Sequence, residues 1–541
     1  MKQAGANAPA GTKGSVDAGD PGEHRPRADV ARRRLLLATS GSTASLLLSG
    51  CAAPGIGNPG AEGSDPFTLG VASGYPGPDS IVLWTRLERE GALPATVTVR
   101  WELASDEAMR HVVASGVSDA VGENAHSVHV EVSGLAPGQW YWYRFRALGH
   151  RSRLGRTRTL PQAGSTVSRL RLCIASCQHY EHGFYAAYRH LLADHPDVVV
   201  HLGDYIYEGA WGQNMVRPLR LTEAQTLTDY RARHALYKRD PDLQNAHAML
   251  PWVVVWDDHE VSNDYAGASA QRIVPPDVFL KRRAGAYRAY YEHMPLPRWM
   301  APSGPDMRIH TSLQVGSLAT IFLLDNRQYR TPQACPPPGR GGATSVEPAL
   351  CEALQDPART LLGREQEQWL DRQFSRSATP WNLLAQQTMI APLIQPGREG
   401  SPPRVRTDGW DGYPLSRRRL LDSMRGNGLR NPVVLGGDLH AFYVADLRAG
   451  PAGSDVVASE FVGTSITSQA ADQRYFNALK AANPHVHHAD GTQRGYLRMT
   501  LSANRLQADL MGVADVSRMD SGISVQAGFV VEAGRPGPVK A

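Results

Sequence analysis

Cysteine, aspartate, tyrosine and histidine gather at four places in this chain where an apolar run stops. The first leaves Cys177 just after Leu170–Ala175. The second, Val198-Val-Val-His-Leu-Gly-Asp-Tyr-Ile-Tyr-Glu-Gly209, leaves Asp204 and Tyr207. The third leaves Asp257-Asp258-His259-Glu260, with Asn263 and Asp264 beyond it, and the fourth Gly437-Asp438-Leu439-His440. Thiolate, phenolate, carboxylate and imidazole are side chains that hold metal ions, and carboxylate and phenol three residues apart can converge on one ion. One such cluster is easily a turn or a helix cap. Four together make a coincidence hard to sustain, provided the strands that carry them end at one edge.

The surrounding patterns supply such strands. Val198–Leu202 is a continuous β-branched run that fits a strand covered on both faces. From Arg169 onward, strands (Leu170–Ile174, Val198–Leu202, Trp252–Trp256, Thr320–Leu324, Asn382–Ala385, Val433–Leu435) alternate with helices, which argues for a layered α/β domain over 169–513. A helix spans Gly183–Ala193. Thr222-Glu-Ala-Gln225 has capping-box spacing and Asp240-Pro241 caps a further helix. Before this domain, over 65–161, period-two runs at Ile81–Arg86, Val97–Leu103, Ser127–Val132 and Trp140–Arg146 predict an all-β, immunoglobulin-like sandwich. Cys173 has the parity of a strand interior and reads as core. Residues 514–541 read as a tail.

At 541 residues the chain exceeds one ordinary core. The first 51 residues hold seven Lys/Arg and four Asp/Glu, leaving 50 basic and 48 acidic residues in the rest, so there is no nucleic-acid-binding footprint. No Gly-x-Ser-x-Gly elbow supports a serine hydrolase. Residues 1–53 read as a leader. Ala31-Arg-Arg-Arg-Leu-Leu-Leu37 resembles a twin-arginine export signal with Arg32-Arg33 as the pair, followed by a short apolar run to Leu48. Leu48-Ser-Gly-Cys51 resembles a lipobox with Cys51 as the lipidated residue; simple cleavage nearby is the alternative. Residues 54–64 form a linker. The expected location is outside the cytoplasm, periplasmic or at the cell surface, with the export machinery as a partner and a lipid anchor through Cys51. In an exported protein Cys335 and Cys351, flanking a Pro/Gly loop, are disulfide candidates.

Gly203-Asp204 with Tyr207, Asp258-His259-Glu260, and Asp438 with His440 resemble the spaced signatures of calcineurin-like metallophosphoesterases. More narrowly, the chain resembles PhoD-type alkaline phosphatases. Gly70–Pro76, Leu83–Arg86, Ala175–Gln178, Gly203–Glu208, Trp256–Glu260, Asp325–Arg330, Gln386-Gln387, Asp408–Tyr413, Gly437–His440 and Asn483–His485 carry the likeness, in order, from about residue 65 to 513. Tyr75 departs from it, since the family usually has an acid there. The resemblance implies a four-layer α/β/β/α metallophosphatase sandwich, with Fe3+ in one site and Ca2+ in the other.

The donors agree with that pairing. Cys177 and Tyr207 are anionic donors suited to ferric iron, Asp204 can bridge, and His440 adds an imidazole. Asp204, Asp258, Asp438 and Asn263 offer oxygen to calcium. Asp258 and His259 are the catalytic candidates, His259 as proton donor or positioning group, in hydrolysis of small phosphate esters by two-metal activation of water. Gln386 or Gln387 could face the site. His485, His487 and His488 read as loop residues, and Arg417-Arg-Arg419 as a solvated helix face. The rival functions are a phosphodiesterase or phospholipase on the same fold, and a surface-binding protein whose enzyme domain is silent.

Overall fold

The computed structural model describes residues 63–219, 221–395, 402–450 and 453–541. The leader with Arg32, Arg33 and Cys51 lies outside them. Among the described residues no helix is long and apolar enough to cross a membrane.

The Val198–His201 strand is wholly buried and runs parallel between Leu170–Ala175 and Pro251–Val254. Its β-branched side chains suit a strand packed on both faces. Register decides where the turns after these strands emerge. Ala175, His201 and Val254 lie abreast, so all three chains leave the sheet at one edge. In a second, seven-stranded sheet, Leu323, Ala385 and Leu435 are likewise aligned, and Gly436 is paired with Val462. Alternation then divides the second sheet's side chains. Ile321, Leu323, Leu383, Ala385, Val433 and Leu435 join the core shared with the first sheet. Phe322, Leu384 and Val434 pack instead with Leu370 and Phe374 of the Arg364–Arg376 helix and Leu420 and Leu421 of the Pro414–Gly426 helix.

The first sheet has ten strands, more than the sequence pattern indicates, because it recruits from both directions. Residues 523–540, read as part of a tail, form two antiparallel strands at one end of it. At the other end, Val71–Gly74 pairs in parallel with Pro251–Val254 and leads on to Ile81–Arg86 and Ser127–Val132. The remaining early strands, among them Thr96–Ala104, Val112–Val121 and Trp140–Ala147, make a separate five-stranded sheet. Leu83, Val99, Leu103, Tyr143 and Phe145 fill the space between the two. The early β segment is therefore stitched into the main sheet, and the described residues fall within one compact unit. Tyr75, the residue departing from the expected acid, donates its hydroxyl to the Val254 carbonyl at 2.5 Å, at the end of a site strand.

Helix starts obey local chemistry. The capping box falls four residues later than the sequence spacing indicates: Thr226 and Asp229 bond reciprocally and open Leu227–Lys238, an exchange that Thr222 and Gln225 do not make. Asp240 caps Pro241–Met249 as expected. Arg417 and Arg419 are not a free solvated face. They bind Asp411 at 2.6 Å and Glu367 at 2.8 Å. Cys335 and Cys351 are joined in a disulfide, and Cys173 is a buried free thiol.

Between the first sheet and its helices lies a buried basic group: His201, His234, His247, His293 and Lys238. Burial pushes each of these histidines down, His201 to about 3, with Lys238 or Arg86 nearby adding to the effect. The unfolded chain therefore takes up these protons first, and stability falls as pH drops below about 6.5, at roughly 1.4 kcal/mol per pH unit for each histidine still neutral in the fold. Urea midpoints measured from pH 7.5 to 5 should fall steeply across that window. Replacing His201 by Asn should make the fall shallower by about one proton.

Candidate metal centre

The turns after the site strands are built to approach one another. Gly203 has φ 107°, and a Cβ there would lie 2.5 Å from Asp257, so only glycine lets the second and third turns touch. Cys177 N donates to the Gly203 carbonyl at 3.1 Å, tying the first turn to the second. Glu260 completes the link. Its carboxylate accepts from the backbone N–H groups of Asp204 (3.1 Å), Tyr205 (2.6 Å) and Asp257 (2.8 Å). Cys177, Asp204, Asp438 and His440 all take left-handed φ between 53° and 62°. Non-glycine residues rarely adopt that conformation, and they hold it where surrounding bonds over-determine the backbone, commonly at functional sites.

The side chains converge in two groups that share Asp204. Ligand atoms of Cys177, Asp204 and His440 lie within 4.8 Å of one another, as do those of Asp204, Asp258 and His259. Tyr207 joins the first group: its hydroxyl donates to Asp204 Oδ2 at 3.0 Å and lies 3.2 Å from His440 Nε2. His440 Nδ1 donates to the Gln469 carbonyl at 2.8 Å, which leaves Nε2 its lone pair, and burial keeps the ring neutral with a pKa of about 3. Asp438 and Asn263 line the same cavity, of about 620 Å³, with Asp204, Asp258, His259 and His440.

This donor set fits cations. Asp204 Oδ1 is buried and, among the described residues, receives no hydrogen bond. Burial drives the Asp204 carboxyl, the Cys177 thiol and the Tyr207 phenol toward their protonated forms; Asp258 reinforces the effect at Asp204, and Asp204 at the other two. Burial and then Asp408 push Asp438 up to about 7. Positive charge placed among these groups reverses every one of those shifts.

Around the ligands a rigid shell holds their neighbours. Glu208 accepts from Asn263 N and meets His259 Nδ1, each at 2.6 Å. Burial alone would lower the His259 pKa, but Glu208, Asp258 and Asp204 hold it well above the ordinary histidine value. Arg327, fully buried, binds Asp257 and clamps Asp408 with two bonds of 3.0 and 2.9 Å. Arg330 adds a further bond to Asp408 at 3.1 Å.

Other candidates sit elsewhere. Gln387 spans the sheets, donating to the Trp256 and Leu324 carbonyls, while Gln386 accepts from Trp410 Nε1. Neither lines the cavity. His485 bonds the Pro392 carbonyl and His487 pairs with Asp446. Sequence reading missed Ser468, whose Oγ donates to Tyr207 Oη at 2.7 Å. Its signal was available, because Gly463-Thr-Ser-Ile-Thr-Ser468 is a polar run after the buried Val456–Val462 strand, a fifth instance of the same pattern. Trp211, stacked on His440 at 5.7 Å, had no such signal.

Two linked donor clusters at the joined edges of two sheets define a metal-dependent phosphatase type of site. Family comparison gives the same class: the PhoD-like phosphatase profile matches residues 172–510 and the profile of that family's N-terminal domain matches 50–161. The chain belongs to the PhoD-like phosphatase family. It is 43% identical over 491 residues to alkaline phosphatase D of Bacillus subtilis (strain 168), covering 88% of this chain and 82% of the relative. A solved structure described as that of PhoD superposes with a TM-score of 0.83 at 42% identity, covering 88% of this chain and 92% of the other.

Glu260→Gln keeps the shape but sets an amide donor against backbone N–H groups. It is expected to lower metal affinity about 10- to 100-fold, as loss of a ligand-orienting partner does. Equilibrium dialysis against the metal ions reads this directly, with circular dichroism to confirm the fold.

Proposed function

We propose that this chain is an exported alkaline phosphatase that hydrolyses phosphate monoesters, and diesters as a secondary activity, to scavenge phosphate. The observation that carries the reading is the buried pair of donor clusters sharing Asp204 on the floor of an open cavity. Cys177, Asp204, Tyr207 and His440 would hold Fe3+, since thiolate and phenolate stabilise a trivalent ion. Asp204, Asp258, Asp438 and Asn263 would hold Ca2+ through oxygen. When bound, the two cations supply Lewis-acid activation of the phosphate ester and of the attacking water.

The chain's own groups do the rest. Ser468 donates to Tyr207 Oη, and Gln469 fixes the His440 tautomer, so these ligands are oriented in advance. Glu208 takes the Nδ1 side of His259. Glu208, which the cations do not claim, raises the His259 pKa and so favours the imidazolium, the form that can pass a proton to a departing alkoxide. The ester P–O bond breaks as the water oxygen bonds phosphorus; the alcohol leaves with the His259 proton, and the proton the water gives up passes to solvent, from which His259 is reprotonated.

The supporting frame would be the four-layer α/β/β/α sandwich preceded by an immunoglobulin-like β unit. Export through the twin-arginine pathway, by way of Arg32-Arg33, suits a protein that takes up its metals while folded. Cys51 would carry a lipid anchor at the outer face of the membrane.

Cys177→Ala and Asp204→Ala should each remove iron and abolish turnover of an aryl phosphate; intact activity in either would overturn the metal assignment. Metal analysis of purified protein should find iron and calcium, and zinc alone with full activity would exclude that pair. His259→Asn should lower kcat by roughly 10²- to 10⁴-fold, more for alkyl than for aryl esters, because only the former need a proton on the leaving oxygen. Comparing an aryl monoester with its bis-ester separates a phosphatase from a dedicated diesterase.

A further inference from the structure

The cavity over the metal ligands continues past them. Trp211, Asp438, Leu439 and His440 also border a second chamber of about 460 Å³. Its character differs. Where the first cavity is ringed by carboxylates, the second has walls of Met389, Leu393, Trp410, Tyr443, Tyr475 and Phe476. Its acids away from the metal ligands are already spent: Asp411 takes Arg417 at 2.6 Å and Leu393 N at 2.9 Å, and Asp408 is clamped by Arg327 and Arg330. Phe476 packs edge-on to Tyr443 with ring centroids 6.0 Å apart, which stiffens the wall. The Tyr475 hydroxyl accepts from Gln395 at 2.9 Å, while the residue stays 41% exposed. Trp211 stands at the junction, 36% exposed as a residue, with its indole nearly parallel to His440.

Apolar and aromatic walls with a few fixed polar groups are the usual make-up of a small-molecule site, and about 460 Å³ is within the usual size range. A phosphate poised over Asp204 and His440 would leave its ester substituent at the mouth of this chamber, because those walls begin at His440 and Leu439.

We infer that the second chamber is a leaving-group subsite that takes the ring-bearing or otherwise apolar alcohol part of a phosphate ester, so that the enzyme selects esters of such alcohols over small polar ones. The inference rests on the phosphatase reading and names its substrate class.

The test compares kcat/KM for 1-naphthyl phosphate with that for phenyl phosphate and glycerol 2-phosphate, using metal-loaded full-length protein. Naphthyl and phenyl esters share leaving-group chemistry and differ by one ring. The wild type should favour the naphthyl ester at least about fivefold over the phenyl ester, the scale of one aromatic contact. Tyr475→Ala and, by filling the chamber, Leu393→Trp should each reduce that ratio at least about threefold, chiefly through KM. An unchanged ratio in both variants, with fold confirmed by circular dichroism, overturns the proposal. Binding of 1-naphthol, read by tryptophan quenching from Trp211 and Trp410, needs no turnover. If no ester is hydrolysed, the phosphatase reading fails. In that case naphthol binding lost on Leu393→Trp still upholds the chamber, and absence of naphthol binding to the wild type rejects it.

Discussion

Buried negative charge at one sheet edge is the constraint on which the rest depends. Asp204, Asp257, Asp258, Glu260 and Asp264 are all at most 5% exposed and crowd the same turns. Carboxylates removed from water resist ionisation, and each one makes the next harder to ionise. Here burial lifts Asp257 and Glu260 to about 8, even with Arg327 beside the first and backbone donors around the second. Arg327 and Arg330 answer part of this charge, but both are committed to Asp408, and Arg327 to Asp257 as well. Arg327 also reaches Asp258 at 3.7 Å, but Asp204 Oδ1 has no partner among the described residues and is open to a cation. A site of this composition gains more from metal than a water-exposed one would, because the positive charge relieves several desolvated acids at once.

That electrostatic demand explains the backbone. Four donor residues in left-handed conformations cost of order 1–3 kcal/mol each. The offset comes from bonds that leave the turns no alternative: three N–H groups on Glu260, the first turn hung from the Gly203 carbonyl, and two sheets brought together where Ile466 N meets the Ser176 carbonyl at 2.9 Å. Gln386 and Gln387 belong to this account. Both serve the frame, and Gln387 does so by joining the sheets behind the site.

Much of the site was legible because its grammar is local. A buried strand announces itself as an apolar run, and the candidate donors sit a few residues past its end, as Cys177, Asp204, Tyr207 and Asp258 do. What was illegible depends on contacts remote in sequence. The polar run after Val456–Val462 marks Ser468 as a residue at the same edge, but its partner Tyr207 lies 261 residues away, and the run does not name it. Arg327 reads as one arginine among many until Asp408 lies opposite it. The same holds for the fold. Each early strand was recognisable by its alternation, but the parallel pairing of Ser73 with Pro251 is not encoded in either segment alone, so the link between the early strands and the first sheet was not legible. The Phe529–Val531 run looked too short beside Gly and Pro to be more than a tail. Its ladder with Arg505–Val513 makes it part of the sheet.

The position of the Arg494–Leu501 strand carries a temporal consequence. It lies antiparallel to Leu170–Ala175, the strand that leads to Cys177, with Leu170 opposite Leu501, a residue made about 330 residues later. At ribosomal rates of about 5–20 residues per second, the earlier strand waits roughly 15 to 65 seconds for that neighbour. Throughout that interval its unpaired N–H and C=O groups form an open edge beside apolar side chains, a ready template for pairing with another nascent chain. The order of synthesis thus sets a window of vulnerability that the finished sheet conceals, and it delays the decisive closure of the first sheet until Arg494–Leu501 has been made.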